Sequence, residues 1–151
     1  MDTSSPKKEK KHLFQGPVPA EKIAQLITHH QHKTDIGAHS IFLGQVRADM
    51  IDGKKVAAIR YSAYDEMAEK ELSAIREEAF AKFPMPCMHI YHSIGELKSG
   101  EVSLVVMTSS AHRAEAIRAM EWVVEEIKKR VPVWKQEVFE DGTLAWVEGI
   151  N

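Results

Sequence analysis

The stretch from Val102 to Lys135, VSLVVMTSSAHRAEAIRAMEWVVEEIKKRVPVWK, constrains the fold more than any other. Val102 to Met107 reads as a buried strand, Thr108, Ser109 and Ser110 read as hydroxyl caps, and from Ala111 the apolar period becomes that of a helix. At about 100° per residue, Ala116, Met120, Val123, Val124 and Ile127 share one face, while Glu115, Arg118, Glu121, Glu125 and Lys129 point away. A strand that feeds directly into an amphipathic helix has to lay that helix back over its own sheet. The cations at the two ends of the helix are less ordinary. Arg113 lies in the first turn, where a positive charge opposes the helix dipole, and Lys128 lies in the last turn, where the dipole favours it. An anion held by His112, Arg113 and the free N–H groups of the helix start explains the first placement; a solvated arginine with its stem along the surface explains it too. The two residues are fifteen positions apart on one helix, about 22 Å. If they serve one small ligand, two chains have to share the site.

At 151 residues the chain suits one domain with a core that needs no staples. A net charge of -2 and mixed surface charge argue against a nucleic-acid partner, and no apolar run is long enough for a membrane span. Met1 to Lys11 is polar and lysine-rich, with no apolar region after it as a secretory signal has, so residues 1–12 are expected to be a disordered tail and 13–151 the domain. Cys87 is the only cysteine. It excludes an intrachain disulfide and a zinc site built on thiolates, and it suits a reducing cytoplasm.

Pro19 to His32 reads as a short helix with Ile23, Leu26 and Ile27 inward. His29, His30 and His32 lie at its end with no carboxylate or thiol following at ligand spacing, so a solvated helix end is expected rather than a metal site. Gly37 to Arg47 is a strand in which Gly44 marks a bulge or a close backbone approach. Val56 to Ala63 is expected to return as its hairpin partner across the Asp52-Gly53 turn. Asp65 is expected to cap a helix running to about Phe83, with Met67, Ala68, Leu72, Ile75, Ala79 and Phe83 on its buried side and Pro84 and Pro86 as its stop. Cys87 to Ile94 alternates as a strand with two unlike faces, Cys87 and His89 together on one of them, and Gly95 to Gly100 is a link. Val131 to Phe139 and Leu144 to Glu148 close the chain as a hairpin around Asp141-Gly142. This order predicts an α+β fold, with helices packed on a largely antiparallel sheet.

There is no phosphate-binding glycine loop, dinucleotide fingerprint or nucleophile elbow, so no cofactor is called for. Cys87, in mid-strand, reads as a core residue. What remains is a set of cations at element ends: Arg47, His112, Arg113, Lys128 and Lys135. Val131, Val133 and Trp134 precede Lys135, and partial burial there lowers an ammonium pKa.

These residues stand in motifs that resemble one family. GAHSIFLGQVR, the helix entry from Tyr64 to Met67, HSIGELKSGE, TSSAHR and VPVWK, spread from Gly37 to Glu148, together resemble the large catalytic subunit of molybdopterin synthase. The resemblance implies an α/β hammerhead fold. It also implies a sulfurtransferase reaction that makes the dithiolene of molybdopterin from cyclic pyranopterin monophosphate. The sulfur would come from a thiocarboxylate on the C-terminal glycine of a small ubiquitin-like partner, in a heterotetramer built on a homodimer of large subunits. Carried onto this chain, the substrate-binding positions are Gln45, Val46, Arg47, His112, Arg113, Lys128, Lys135, Gln136 and Glu137, with Lys128 and Lys135 catalytic and no metal. Gln45 and Gln136 stand where some relatives carry basic residues. The alternative class is a non-enzymatic dimeric module that binds an anion through the same cations without turnover.

Overall fold

The computed structural model describes residues 11–148. In chain order the elements are β1 (Leu13–Gln15), α1 (Ala20–His30), β2 (Ala38–Gln45), β3 (Met50–Ile51), β4 (Lys54–Ala63), α2 (Asp65–Lys82), β5 (Cys87–Lys98), β6 (Val102–Ser110), α3 (Arg113–Arg130), β7 (Val133–Phe139) and β8 (Leu144–Trp146). The eight strands form one sheet in the order β2-β6-β5-β4-β7-β8, with β1 added parallel to β5 and β3 added to β4. All other pairings are antiparallel. Of the expected tail, residues 1–10 lie outside the described residues. His12 is already part of the fold, with a buried ring and a backbone N–H donated to the Glu69 carboxylate.

β5 joins the two halves of the sheet. Residues Cys87 to His92 pair with β6, and Gly95 to Lys98 pair with β4. Gly95 marks the change of partner. Its φ of 96° is open to glycine, and a Cβ there would meet the Gln15 side chain at 2.6 Å. The stretch after Ile94 is therefore mostly strand and not the expected link; only Ser99 to Glu101 connect β5 to β6.

β6 and α3 form the framework. The strand ends at Ser110 and the helix runs back along it, laying Ala116, Ala119, Met120, Val123, Val124 and Ile127, all buried, over the sheet. Arg130, in the last turn, donates to Glu71 and Glu78 on α2, both at 2.6 Å, which fixes the end of α3 against its neighbour helix. Thr108, Ser109 and Ser110 are not helix caps. They are the last residues of β6 and fully buried, and their hydroxyls bond Ala116 O, the His39 ring and Pro84 O. His112 occupies the N-cap position without a side-chain bond to the helix.

Four further expectations are corrected. β2 does not pair with β4; it pairs with β6 along its whole length, and the Asp52-Gly53 turn closes the small β3–β4 hairpin instead. Both turn residues have positive φ, as a tight hairpin requires. Asp65 is the first residue of α2, and Tyr64 is its N-cap. Met67 and Ile27 are exposed, since each lies just beyond the stripe that meets the core. His30 is 2% exposed, not solvated. Gly44 does both things its position suggested: the β2–β6 register shifts between Gly44 and Gln45, and a Cβ would come within 3.2 Å of Leu104 Cβ.

The tightest approach is at Gly37, where an added Cβ would sit 2.1 Å from the Ala111 carbonyl oxygen. Gly37 also donates its N–H to Ser110 O, so the entry to β2 is pressed against the β6–α3 turn. Gly37→Ala therefore forces backbone movement and lowers stability by about 2 kcal/mol. Urea unfolding measures this, and an unchanged midpoint and slope would show that the turn is more compliant than this packing implies.

Candidate active site

The antiparallel return of α3 along β6 brings the end of the helix to the start of the strand. Gln45, at the end of β2, is also there, because it lies opposite Val102. At this corner Arg47, Gln45, Val46, Lys128, Lys135 and Glu137 line one cavity of about 400 Å³. Its floor is made by Tyr61, His92, Ser103 and Leu104. Lys128 stands exposed at the rim, and Arg47, whose side chain is 81% exposed, has a 3.4 Å ion pair with Asp49.

β7 contributes through its register. Lys135 lies opposite Tyr61 and Glu137 opposite Ile59, so all four share the face toward the cavity. Gln136 alternates to the other face, opposite Arg60 and Trp146, and does not line the cavity. Period-two geometry thus separates it from Lys135 and Glu137.

The electrostatics of the cavity are those of an anion site. Burial lowers the Lys135 pKa below the usual lysine range, and the positive charges of Lys128 and Arg47 push it the same way against Glu137. Burial also takes His92 down to about 4, a shift that its bond to Ser93 O opposes and that Lys128 and Lys135 reinforce. Its ring is therefore uncharged near neutrality, set edge-on to Tyr61 at 6.0 Å. Burial raises the Tyr61 pKa, and its hydrogen bond with Ser103 works against that. Lys128 and Arg47 thus disfavour the charge of Lys135, and an anion entering the cavity would offset that repulsion.

His92, Tyr61 and Ser103 are not among the residues singled out from sequence. The alternation of β5 did place His92 on an apolar face, which is the signal that could have found it. His112 and Arg113 are absent from this cavity. They line a separate one of about 510 Å³, with Gly37, Ala38, Ala111 and Ala114, at the opposite end of α3. Within one chain the helix keeps the two groups of cations apart.

Residues 15–130 match the family model described as MoaE protein. The chain belongs to the MoaE protein family. Among MoaE relatives it is 50% identical over 113 residues to the molybdopterin synthase catalytic subunit of Pyrococcus abyssi, covering 75% of each chain. It superposes on the crystal structure of molybdopterin synthase from Staphylococcus aureus with a TM-score of 0.80 and 32% identity, over 95% of this chain and 100% of that one. The complex of subunits 1 and 2 of the molybdopterin-converting factor from Helicobacter pylori shares the MoaE fold at a TM-score of 0.76 and 18% identity, over 91% of this chain and 89% of that one.

The coupling of Lys135 to its neighbours can be measured. In an NMR titration of lysine side chains, Lys135 loses its proton at lower pH than the other lysines. Lys128→Met moves that titration upward, because removing a nearby positive charge favours the ammonium. A Lys135 signal that titrates with the bulk in both proteins would contradict the arrangement described.

Proposed function

We propose that this chain is the catalytic subunit of a molybdopterin synthase, a sulfurtransferase of molybdenum cofactor biosynthesis. It acts with a small ubiquitin-like subunit whose C-terminal thiocarboxylate supplies the sulfur, and it converts cyclic pyranopterin monophosphate to molybdopterin. The observation that carries this reading is the convergence of Arg47, Lys128 and Lys135 on one cavity in a chain of this family. The cavity holds no cysteine, and none is needed when the partner brings the nucleophilic sulfur. A thiocarboxylate is open to oxidation, so a reducing compartment such as the cytoplasm suits the reaction.

The cations divide the work. Arg47, with His112 and Arg113, holds the cyclic phosphate through charge-assisted hydrogen bonds. Lys128 and Lys135 orient the thiocarboxylate and stabilise the negative charge that develops as each sulfur is added. Lys135, which gives up its proton more readily than an ordinary lysine, is suited to moving a proton at that step. Gln45, Val46 and Glu137 shape the wall, and Gln136 supports the strand from its far side.

His112 and Arg113 reach the same substrate only from a second copy of the chain. α3 is an 18-residue helix, about 27 Å long, and it holds them at the far end from Lys128. A dimer that sets the start of one α3 beside the end of its mate's would complete two equivalent sites. β2 is an edge strand with Ile41 and Leu43 exposed, which suits it to that contact. Tyr64, Met67 and Trp134 form an exposed apolar group at the head of α2, where the ubiquitin-like partner can dock.

The test is reconstitution: purified chain, thiocarboxylated partner and cyclic pyranopterin monophosphate, with molybdopterin as the readout. Lys128→Ala lowers turnover by about a hundredfold or more while leaving the fold intact. Arg113→Ala is also defective, and subunit exchange between the two defective variants restores about a quarter of wild-type activity, because half the dimers are hybrids with one intact site. Normal turnover in a folded Lys128→Ala protein would remove that lysine from catalysis. Failure of exchange to restore activity would place both residues' roles within one chain. Anion binding without conversion would favour a non-enzymatic binding module.

A further inference from the structure

Away from the candidate active site, three potential ligand atoms converge where α1 meets the sheet. His30 Nε2 lies 2.8 Å from Cys87 Sγ, Cys87 Sγ lies 3.2 Å from His89 Nε2, and the two imidazole nitrogens are 3.0 Å apart. His30 and Cys87 are buried and His89 is half-buried. Along β5, Cys87 lies about 16 Å and His89 about 10 Å from His92, and the cluster shares no residue with the candidate active-site cavity.

The proton count is the telling feature. His30 Nδ1 lies 2.6 Å from the Leu26 carbonyl oxygen, which only accepts, so Nδ1 carries the proton and Nε2 presents a lone pair to the other two atoms. With neutral rings, the thiol and one N–H of His89 give at most two protons for three short contacts. A single cation at the centre satisfies all three lone pairs at once.

The geometry is close to what such an ion needs. Tetrahedral zinc, with bonds of about 2.0–2.1 Å to nitrogen and about 2.3 Å to sulfur, sets its ligand atoms about 3.3–3.6 Å apart. The observed triangle reaches this by opening about 0.4 Å at the two contacts of His89 and about 0.7 Å between His30 Nε2 and Cys87 Sγ. The remaining details fit as well. The Leu26 carbonyl fixes the His30 tautomer, as outer-shell acceptors do for metal-bound imidazoles. Lys33 Nζ donates toward Sγ from 3.7 Å. His89 also lines an open cavity of about 770 Å³ with Lys22, Gln25, His29 and Tyr91, through which a water can take the fourth position.

We infer that His30, Cys87 and His89 form a binding site for a borderline transition-metal ion of the zinc class, which ties the end of α1 to the start of β5. A thiolate with two imidazoles excludes magnesium and calcium, which prefer oxygen ligands. Sequence spacing hid this site, because the thiol does not follow the histidines but arrives 57 residues after His30. The single cysteine rules out a site made of several thiolates and leaves a mixed one open.

Cobalt(II) titration of the untagged, metal-free chain tests the site. The expected result is 1:1 binding with visible bands of four-coordinate cobalt and a near-ultraviolet thiolate-to-cobalt charge-transfer band, both removed by added zinc. Zinc also raises the thermal midpoint. Cys87→Ser abolishes the charge-transfer band, and His89→Gln, at the half-buried corner and with its fold checked by circular dichroism, weakens cobalt binding by at least about a hundredfold. His32→Gln, altering an exposed neighbour, leaves binding unchanged. Absence of 1:1 binding by the wild-type chain, a spectrum without the charge-transfer band, or full affinity in folded His89→Gln would each overturn the inference. None of these readouts depends on molybdopterin formation.

Discussion

Burial of the apolar stripe of α3 against β6 is the constraint on which the other features depend. The residues from Ala116 to Ile127 on that stripe are at most 9% exposed, and the larger ones, Met120, Val123, Val124 and Ile127, contribute on the order of 1.5–3 kcal/mol each. Because the helix follows its strand through a two-residue turn, it has to run back antiparallel to it. Its last turn then comes to lie beside the first residues of β6 and the last of β2. The cavity sits at this corner because three chain segments end there together.

Arg130 sharpens the placement. Its guanidinium, 27% exposed, bridges Glu71 and Glu78 on α2 and also reaches Glu126 one turn back. A network of this kind, partly shielded from water, resists screening better than an isolated surface pair. It fixes the rotation of α3 close to Lys128, whose direction into the site depends on that rotation. β7 adds the second lysine by a different route: its pairing with β4 sets Lys135 opposite Tyr61, and the pleat turns Gln136 away.

The two clusters of titratable groups illustrate how burial acts on opposite kinds of site. In the candidate active-site cavity, burial and the positive charges of Lys128 and Arg47 lower the affinity of Lys135 for a proton, an arrangement that suits an anion. At the α1–β5 junction, crowded lone pairs leave a deficit of positive charge, which a metal ion fills. In both places the fold brings together groups whose mutual contacts are poor and whose contacts with the right ligand are good. Both depend on β5, which carries Cys87 and His89 near one end and His92 further along.

Much of this was legible in the sequence. The α3 stripe, the α+β order, the closing hairpin and the Gly44 irregularity followed from local periodicity and turn chemistry, which act over a few residues. Arg47, Lys128 and Lys135 stood out because charged groups at element ends beside apolar runs are conspicuous in one dimension. The partner of β2, the loss of Gln136 from the cavity wall and the entry of His92 into it were not legible, because strand pairing and register are settled between segments far apart in sequence. His30 is the clearest case. At the end of a short helix it looks like one solvated histidine among three, and only packing against β5 buries it and supplies the cysteine. The sequence by itself determined which residues could be inside and which charges were unusual; the tertiary structure decided which of them meet, because sheet pairing brings together side chains that chain spacing keeps apart.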